Sequence, residues 1–150
     1  MNTIFFGSDY NGTAQIPELK KKLATFGKVI DVVEEDPSLD SYIKISMEVA
    51  RRAVREGGIG VTVCGSGTGS CITANKVKGA YAVVSLVPQT AIYAKIINNA
   101  NVLCLASWGQ SLERNLEIID TFFAAQYGNR KPERMAQIKE QEEVVFKGES

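Results

Sequence analysis

An α/β fold built on a parallel sheet covered on both faces is expected from three features of the chain. Short β-rich runs alternate with amphipathic stretches along most of its length. Several of those short runs are continuously apolar, as strands buried on both faces are. The turns between them carry the glycine and proline signals that end helices and strands.

Thr3–Phe6 reads as a first strand ending at Gly7. Ile16–Phe26 places Ile16, Leu19, Leu23 and Phe26 at a helical period, with lysines on the other face. Lys28–Val33 reads as the second strand, and the acidic Glu34–Asp40, with Pro37, as a loop. Ile43–Arg55 predicts a helix with Ile43, Met47, Ala50 and Val54 on one stripe, stopped at Gly57-Gly58. Ile59–Val63 is the third strand, and Gly65–Gly69 a glycine-rich turn into a helix over Ser70–Val77. A fourth strand (Ala80–Ser85), a helix (Gln89–Asn98), a fifth strand (Val102–Leu105) and a helix (Leu112–Gln126) follow. The last helix, about Pro132 to Val144, is charged with a narrow Met135 and Ile138 seam, and the tail from Glu140 to Ser150 is expected to fray.

The 150 residues suit a single domain spanning 1–150. Lys plus Arg equals Asp plus Glu at 17 each, so no global charge argues for nucleic acid or an anionic membrane. No run reaches the ~20 apolar residues of a membrane helix. The first residues lack the basic region of a signal peptide. Three cysteines, an odd number, argue against a disulfide framework and for a reducing, cytoplasmic setting. There is no histidine, so proton chemistry falls to Cys, Asp, Glu, Lys or Tyr.

Parallel sheets place ligands beyond the carboxyl ends of their strands, which selects three loops. In Cys64-Gly65-Ser66-Gly67-Thr68-Gly69-Ser70 the glycines let the backbone turn and present N–H groups at a helix start, a setting that favours anions. A cysteine beside such donors is expected to be the better base or nucleophile. The loop is neither a dinucleotide fingerprint nor a Walker loop, and alone it reads equally as a tight turn with an inert cysteine. In Gly7–Gly12, Asp9 serves either as a helix cap or as a contact to substrate hydroxyls. In Gly128–Arg134, Arg130 and Arg134 lie four apart, a shared helical face able to clamp phosphate, or else a solvated basic turn. Cys71 and Cys104 read as core residues, and Trp108 as packing, an interface contact or a ligand stack.

Together, Gly7-Ser-Asp9, Cys64-Gly-Ser-Gly-Thr-Gly69, Ala74-Asn-Lys-Val77, Asn98-Asn-Ala-Asn-Val-Leu103, Asp120-Thr-Phe122 and Arg130 with Arg134 resemble the ribose-5-phosphate isomerase B family. That family includes the two subunit types of galactose-6-phosphate isomerase, and the resemblance runs from about residue 3 to residue 140. It implies a Rossmann-like three-layer α/β/α sandwich with a five-stranded parallel sheet and an extra C-terminal helix. It also implies an aldose–ketose isomerase of phosphorylated monosaccharides that needs no cofactor or metal. The expected assembly is a homodimer or tetramer with active sites between subunits. Carried over by position, Cys64 matches the proton-transfer base and Ser66 the hydroxyl beside it. Backbone N–H groups of Gly65, Gly67, Thr68, Gly69 and Ser70 match the enediolate hole. Asp9 matches a substrate-hydroxyl contact, with Tyr10 beside it, and Asn98 a contact from the neighbouring subunit. Arg130 and Arg134, with Lys131 between them, match the phosphate clamp. A branch of the family uses a glutamate that falls at Ser70 here, so the cysteine branch is implied.

The departures are Tyr10, Ile97 and Lys131 where the family usually has histidine, and Trp108 where it has arginine. The proton-abstraction parts remain and the ring-opening parts are replaced. An acyclic tetrulose phosphate is therefore one expected substrate. Other readings are a subunit of a heteromeric galactose-6-phosphate isomerase, completed by a paralogous chain, and a non-catalytic sugar-phosphate sensor.

Overall fold

The computed structural model describes residues 2–147. Five strands, β1 (Thr3–Ser8), β2 (Lys28–Asp31), β3 (Ile59–Cys64), β4 (Ala82–Val84) and β5 (Val102–Ala106), form one sheet in the order β2-β1-β3-β5-β4. Every neighbouring pair is parallel. The helices are α1 (Ile16–Leu23), α2 (Val32–Glu35), α3 (Tyr42–Glu56), α4 (Thr68–Ala74), α5 (Pro88–Asn98), α6 (Leu112–Ala124) and α7 (Pro132–Lys147).

Successive strand residues point to opposite faces, and both faces are apolar, so each strand feeds two cores. Ile4 and Phe6, with Leu103 and Leu105, pack under Leu19 and Leu23 of α1, Ala91 of α5 and Phe122 of α6. Phe5, Val102 and Cys104 pack against Val32, Ile45, Val49 and Ala53 of α2 and α3, and Ala74 of α4. This distribution follows the right-handed crossover rule. Connections running toward β4 place α3 and α4 on one face. The two running back, β1 to β2 and β4 to β5, place α1 and α5 on the other.

The expected sandwich is present, with differences that have local causes. The second strand ends at Asp31, because its carboxylate caps α2 by accepting from the amides of Val33 (3.0 Å) and Glu34 (3.2 Å). The segment read as strand end and loop thus contains a helical turn. A 3-10 helix, Tyr10–Gln15, precedes α1. Ser41 caps α3 at its start, and Gly57, at φ 69°, closes it in the left-handed conformation. α7 runs to Lys147, where Glu142 accepts from the Gly79 amide (2.9 Å) and Glu143 pairs with Lys78. The rest of the tail, residues 148–150, lies outside the described residues. No described helix is long and apolar enough to cross a membrane.

Asn75 gives the Ala74-Asn-Lys-Val77 motif a structural role. Its side chain donates to the Ala82 carbonyl and accepts from the Ala82 amide, both at 2.9 Å, mimicking a neighbouring strand at the sheet edge. Asn101 does the same one step back, accepting from the Tyr81 amide and donating to Gly79 O.

Of Cys71 and Cys104, both read as core residues, one differs from expectation. Cys104 is buried in β5 as read, but Cys71 on α4 is half-buried. The neighbouring Cys104 thiol lowers the Cys71 pKa from 9.0 to about 7, while Cys104 itself is raised by its proximity to Cys71 and by burial.

Two outcomes follow. Asn75→Ala removes both edge hydrogen bonds and is expected to lower stability by about 1–3 kcal/mol, read as a shift in the urea midpoint. Because the thiolate is the reactive form, alkylation of Cys71 is expected to rise through pH about 7. In Cys104→Ala the stabilising donor is gone, so that midpoint moves upward.

Candidate active site

The strand order turns back between β1 and β3: the chain leaves β1 toward β2 on one side, and β3 sits on the other. This is the switch point at which parallel sheets open a crevice beyond the strand ends. A cleft of about 410 Å³ lies there, walled by the loop after β1 (Asp9, Tyr10, Asn11), the loop after β3 (Cys64–Gly69) and residues 40–42 with Trp108.

Cys64 is the last residue of β3. Only 4% of its surface is exposed, yet it is a wall of this cleft. The chain then reverses through Gly67, at φ 79°, a conformation that costs any L side chain. That turn aims the Gly67 amide at the Cys64 sulfur, 3.2 Å away. Ser66 Oγ accepts from the Thr68 amide (3.3 Å) and shares a hydrogen bond with Thr68 Oγ1 (2.7 Å). The first intrahelical bond of α4 runs from the Cys71 amide to Gly67 O. The amides of Gly69 and Ser70, inside that first turn, therefore precede the helical ladder. The expected row of main-chain donors is thus divided: Gly67 serves the sulfur, Thr68 serves Ser66, and Gly69, a wall of the cleft, keeps its amide ahead of the ladder, whereas Ser70 does not line the cleft. The Ser70 side chain is buried.

The glycines at 65 and 69 have a different cause from the one read in the sequence. Neither has a positive φ. A Cβ at Gly65 would lie 2.5–2.7 Å from three atoms of the Trp108 indole, and one at Gly69 would lie 2.7 Å from the Tyr42 ring. Two aromatic rings rest on the two outer glycines of the loop. Tyr42 and Asp40 were not singled out by the sequence, because nothing local to residues 40–42 marks them. A glycine whose turn does not need it is the one signal available.

Asp9 is 8% exposed and caps the 3-10 helix, accepting from the Asn11 amide (3.0 Å) and Asn11 Nδ2 (3.1 Å). The cap reading of Asp9 is thus what the structure shows, and the residue also lines the cleft. Tyr10 is 82% exposed at the rim. Asp40 pairs with Lys44 Nζ at 2.9 Å, and that partner holds its carboxyl below the ordinary value.

No lysine or arginine lines this cleft. Asn98, Lys131 and Arg134 line a separate hollow of about 610 Å³ between α5 and α7, which shares no residue with the cleft. The structure corrects the shared-face argument for the arginines. α7 begins at Pro132, so Arg134 is in its first turn while Arg130 precedes the helix in an exposed loop. The Gly128 amide ties that loop to Ile96 O (2.9 Å). Among the described residues, Arg130, Lys131 and Arg134 make no ion pair, and no group of three His, Cys, Asp or Glu is placed to hold a metal ion.

Comparison with known proteins agrees with this geometry. Residues 4–138 match the family model described as Ribose/Galactose Isomerase. A probable ribose-5-phosphate isomerase B from Mycoplasma genitalium is 34% identical over 142 residues, covering 90% of this chain and 92% of that protein. A 4-deoxy-4-sulfo-D-erythrose isomerase from Clostridium sp. strain MSTE9 is 29% identical over 122 residues, covering 79% and 77%. The crystal structure of Mycoplasma genitalium ribose-5-phosphate isomerase B with bound ribulose-5-phosphate superposes with a TM-score of 0.85 at 32% identity, over 94% of this chain and 96% of that one. With the match spanning nearly its whole length, the chain belongs to the ribose/galactose isomerase family.

Proposed function

We propose that the chain is an aldose–ketose isomerase of a phosphorylated sugar in open-chain form, with Cys64 as the base and a second copy completing each site. The observation that carries this is the sulfur at the wall of the cleft, held by the Gly67 amide beside the Gly69 amide at the start of α4.

The Cys64 thiolate takes the proton from the carbon next to the carbonyl. The electron pair moves into an enediolate whose oxygens face the Gly69 amide and the Ser66 and Thr68 hydroxyls. The proton of the neighbouring hydroxyl passes to the former carbonyl oxygen, the same sulfur returns the first proton to the adjacent carbon, and aldose becomes ketose with no net change in atoms. Positioned general bases contribute roughly 100- to 10,000-fold, and pre-aimed donors for the developing oxyanion about 100- to 1000-fold each.

A phosphate cannot be held by this cleft alone, since Asp9 and Asp40 are its charged groups. Free cations stand at Lys131 and Arg134, beside Asn98, in the α5–α7 hollow. α7 has no buried residue, and Ile97 and Ile138 beside the hollow are exposed. A second copy of the chain laid on this face would cover them and bring cations to the cleft.

The open-chain substrate is favoured by Tyr10, Ile97 and Lys131, which replace histidines, and by the sulfo-erythrose named for one relative. A tetrose substituted at its fourth carbon has no hydroxyl there to close a furanose.

Cys64→Ser is expected to lower kcat by about 100- to 10,000-fold without unfolding the chain. Arg134→Ala is expected to raise KM. In a two-fold assembly assayed at low substrate, mixing the two variants recreates one intact site per mixed dimer, about a quarter of parent activity. No recovery on mixing contradicts the shared site. Activity of the purified chain alone removes any need for a paralogous subunit.

A further inference from the structure

We propose that Trp108 is the specificity-determining wall of the Cys64 cleft, taking the C–H face of a four-carbon open-chain sugar phosphate. This rests on the isomerase reading and goes beyond it by naming the group that selects the substrate.

Trp108 is the single tryptophan of the chain and is 66% exposed, yet its placement is fixed. The Ser107 and Trp108 amides both donate to Gly65 O, at 3.0 and 2.9 Å, and Ser107 Oγ donates to Cys64 O at 3.2 Å. Gln110 Nε2 donates to Leu86 O, and Asn115, buried at the start of α6, donates to Ala106 O and to Gln15. The loop is therefore anchored on both sides of the indole. The ring lies on Gly65, the residue next to the proposed base, so closely that any side chain there would displace it.

An indole offers a broad apolar face and one N–H donor. A sugar carbon chain passing over it buries C–H groups well. A hydroxyl pressed on the same face loses its water and gains no partner. A longer, ring-forming sugar carries more hydroxyls past this wall and is disfavoured, and a four-carbon chain is accepted. Sites that discriminate by apolar contact achieve about 10- to 200-fold.

The lone tryptophan supplies a readout independent of turnover. The parent is titrated with 4-phospho-D-erythronate and 5-phospho-D-ribonate by tryptophan emission and by calorimetry. kcat/KM is measured on erythrose 4-phosphate and ribose 5-phosphate for the parent, Trp108→Ala and Trp108→Arg. The expected result is a saturable emission change with the four-carbon acid and a preference of about tenfold or more for the four-carbon aldose. That preference collapses in both variants, which fold because the side chain is exposed. Calorimetric binding without an emission change, or an emission change set by protein concentration alone, overturns this proposal and leaves the isomerase reading intact. So does an unchanged preference in Trp108→Ala. Absence of binding and turnover for every sugar phosphate overturns both.

Discussion

One turn governs the rest of the site. At Gly67 the chain leaves β3 and enters α4 in a left-handed conformation, and its amide is thereby committed to the sulfur of Cys64. A Cβ at that position would be strained by φ and would meet Val84 at 2.9 Å. The sulfur is thus placed by backbone geometry rather than by a neighbouring base. In the isomerase proposed for this chain, which has no histidine, that geometry is what would orient the cysteine for proton transfer.

The sheet supplies the context for that turn. β3 lies between β1 and β5, so the carboxyl ends of three strands converge: β1 delivers Asp9, β3 delivers Cys64, and β5 delivers Trp108. The backbone ties run between the same loops, since Asp9 N donates to Val63 O and Ser107 N to Cys64 O. These loops are therefore tied to the strands behind them, which suits a site that must aim donors in advance of the reaction.

Much of this was legible in the sequence because it is periodic or punctuated. The strands and most helices followed from apolar spacing, and Gly57 ended α3 as its position implied. The cysteine loop was visible as a glycine cluster. What escaped depends on contacts between distant segments. Val32 and Val33 look like the end of a strand until the Asp31 carboxylate is seen capping α2. Arg130 and Arg134 share a helical face only if the helix begins before Pro132, and it does not. Gly65 and Gly69 look like turn residues, but the reasons for them are the rings of Trp108 and Tyr42, from other parts of the chain. The motif around Asn75 carries the family resemblance while its side chain closes a sheet edge and touches no substrate wall.

The cleft is rich in hydroxyls, amides and aromatic faces and poor in positive charge, whereas the α5–α7 hollow has positive charge and no nucleophile. Each half lacks what the other has, and the chemistry assigned to Cys64 requires only the first. Its most direct test is solvent exchange at carbon: the purified chain is incubated with an aldose phosphate in deuterium oxide, and label at the carbons flanking the carbonyl is followed by NMR. Deuterium entering with the parent and not with Cys64→Ser is the predicted result. Exchange by the serine variant at the parent rate would contradict the account.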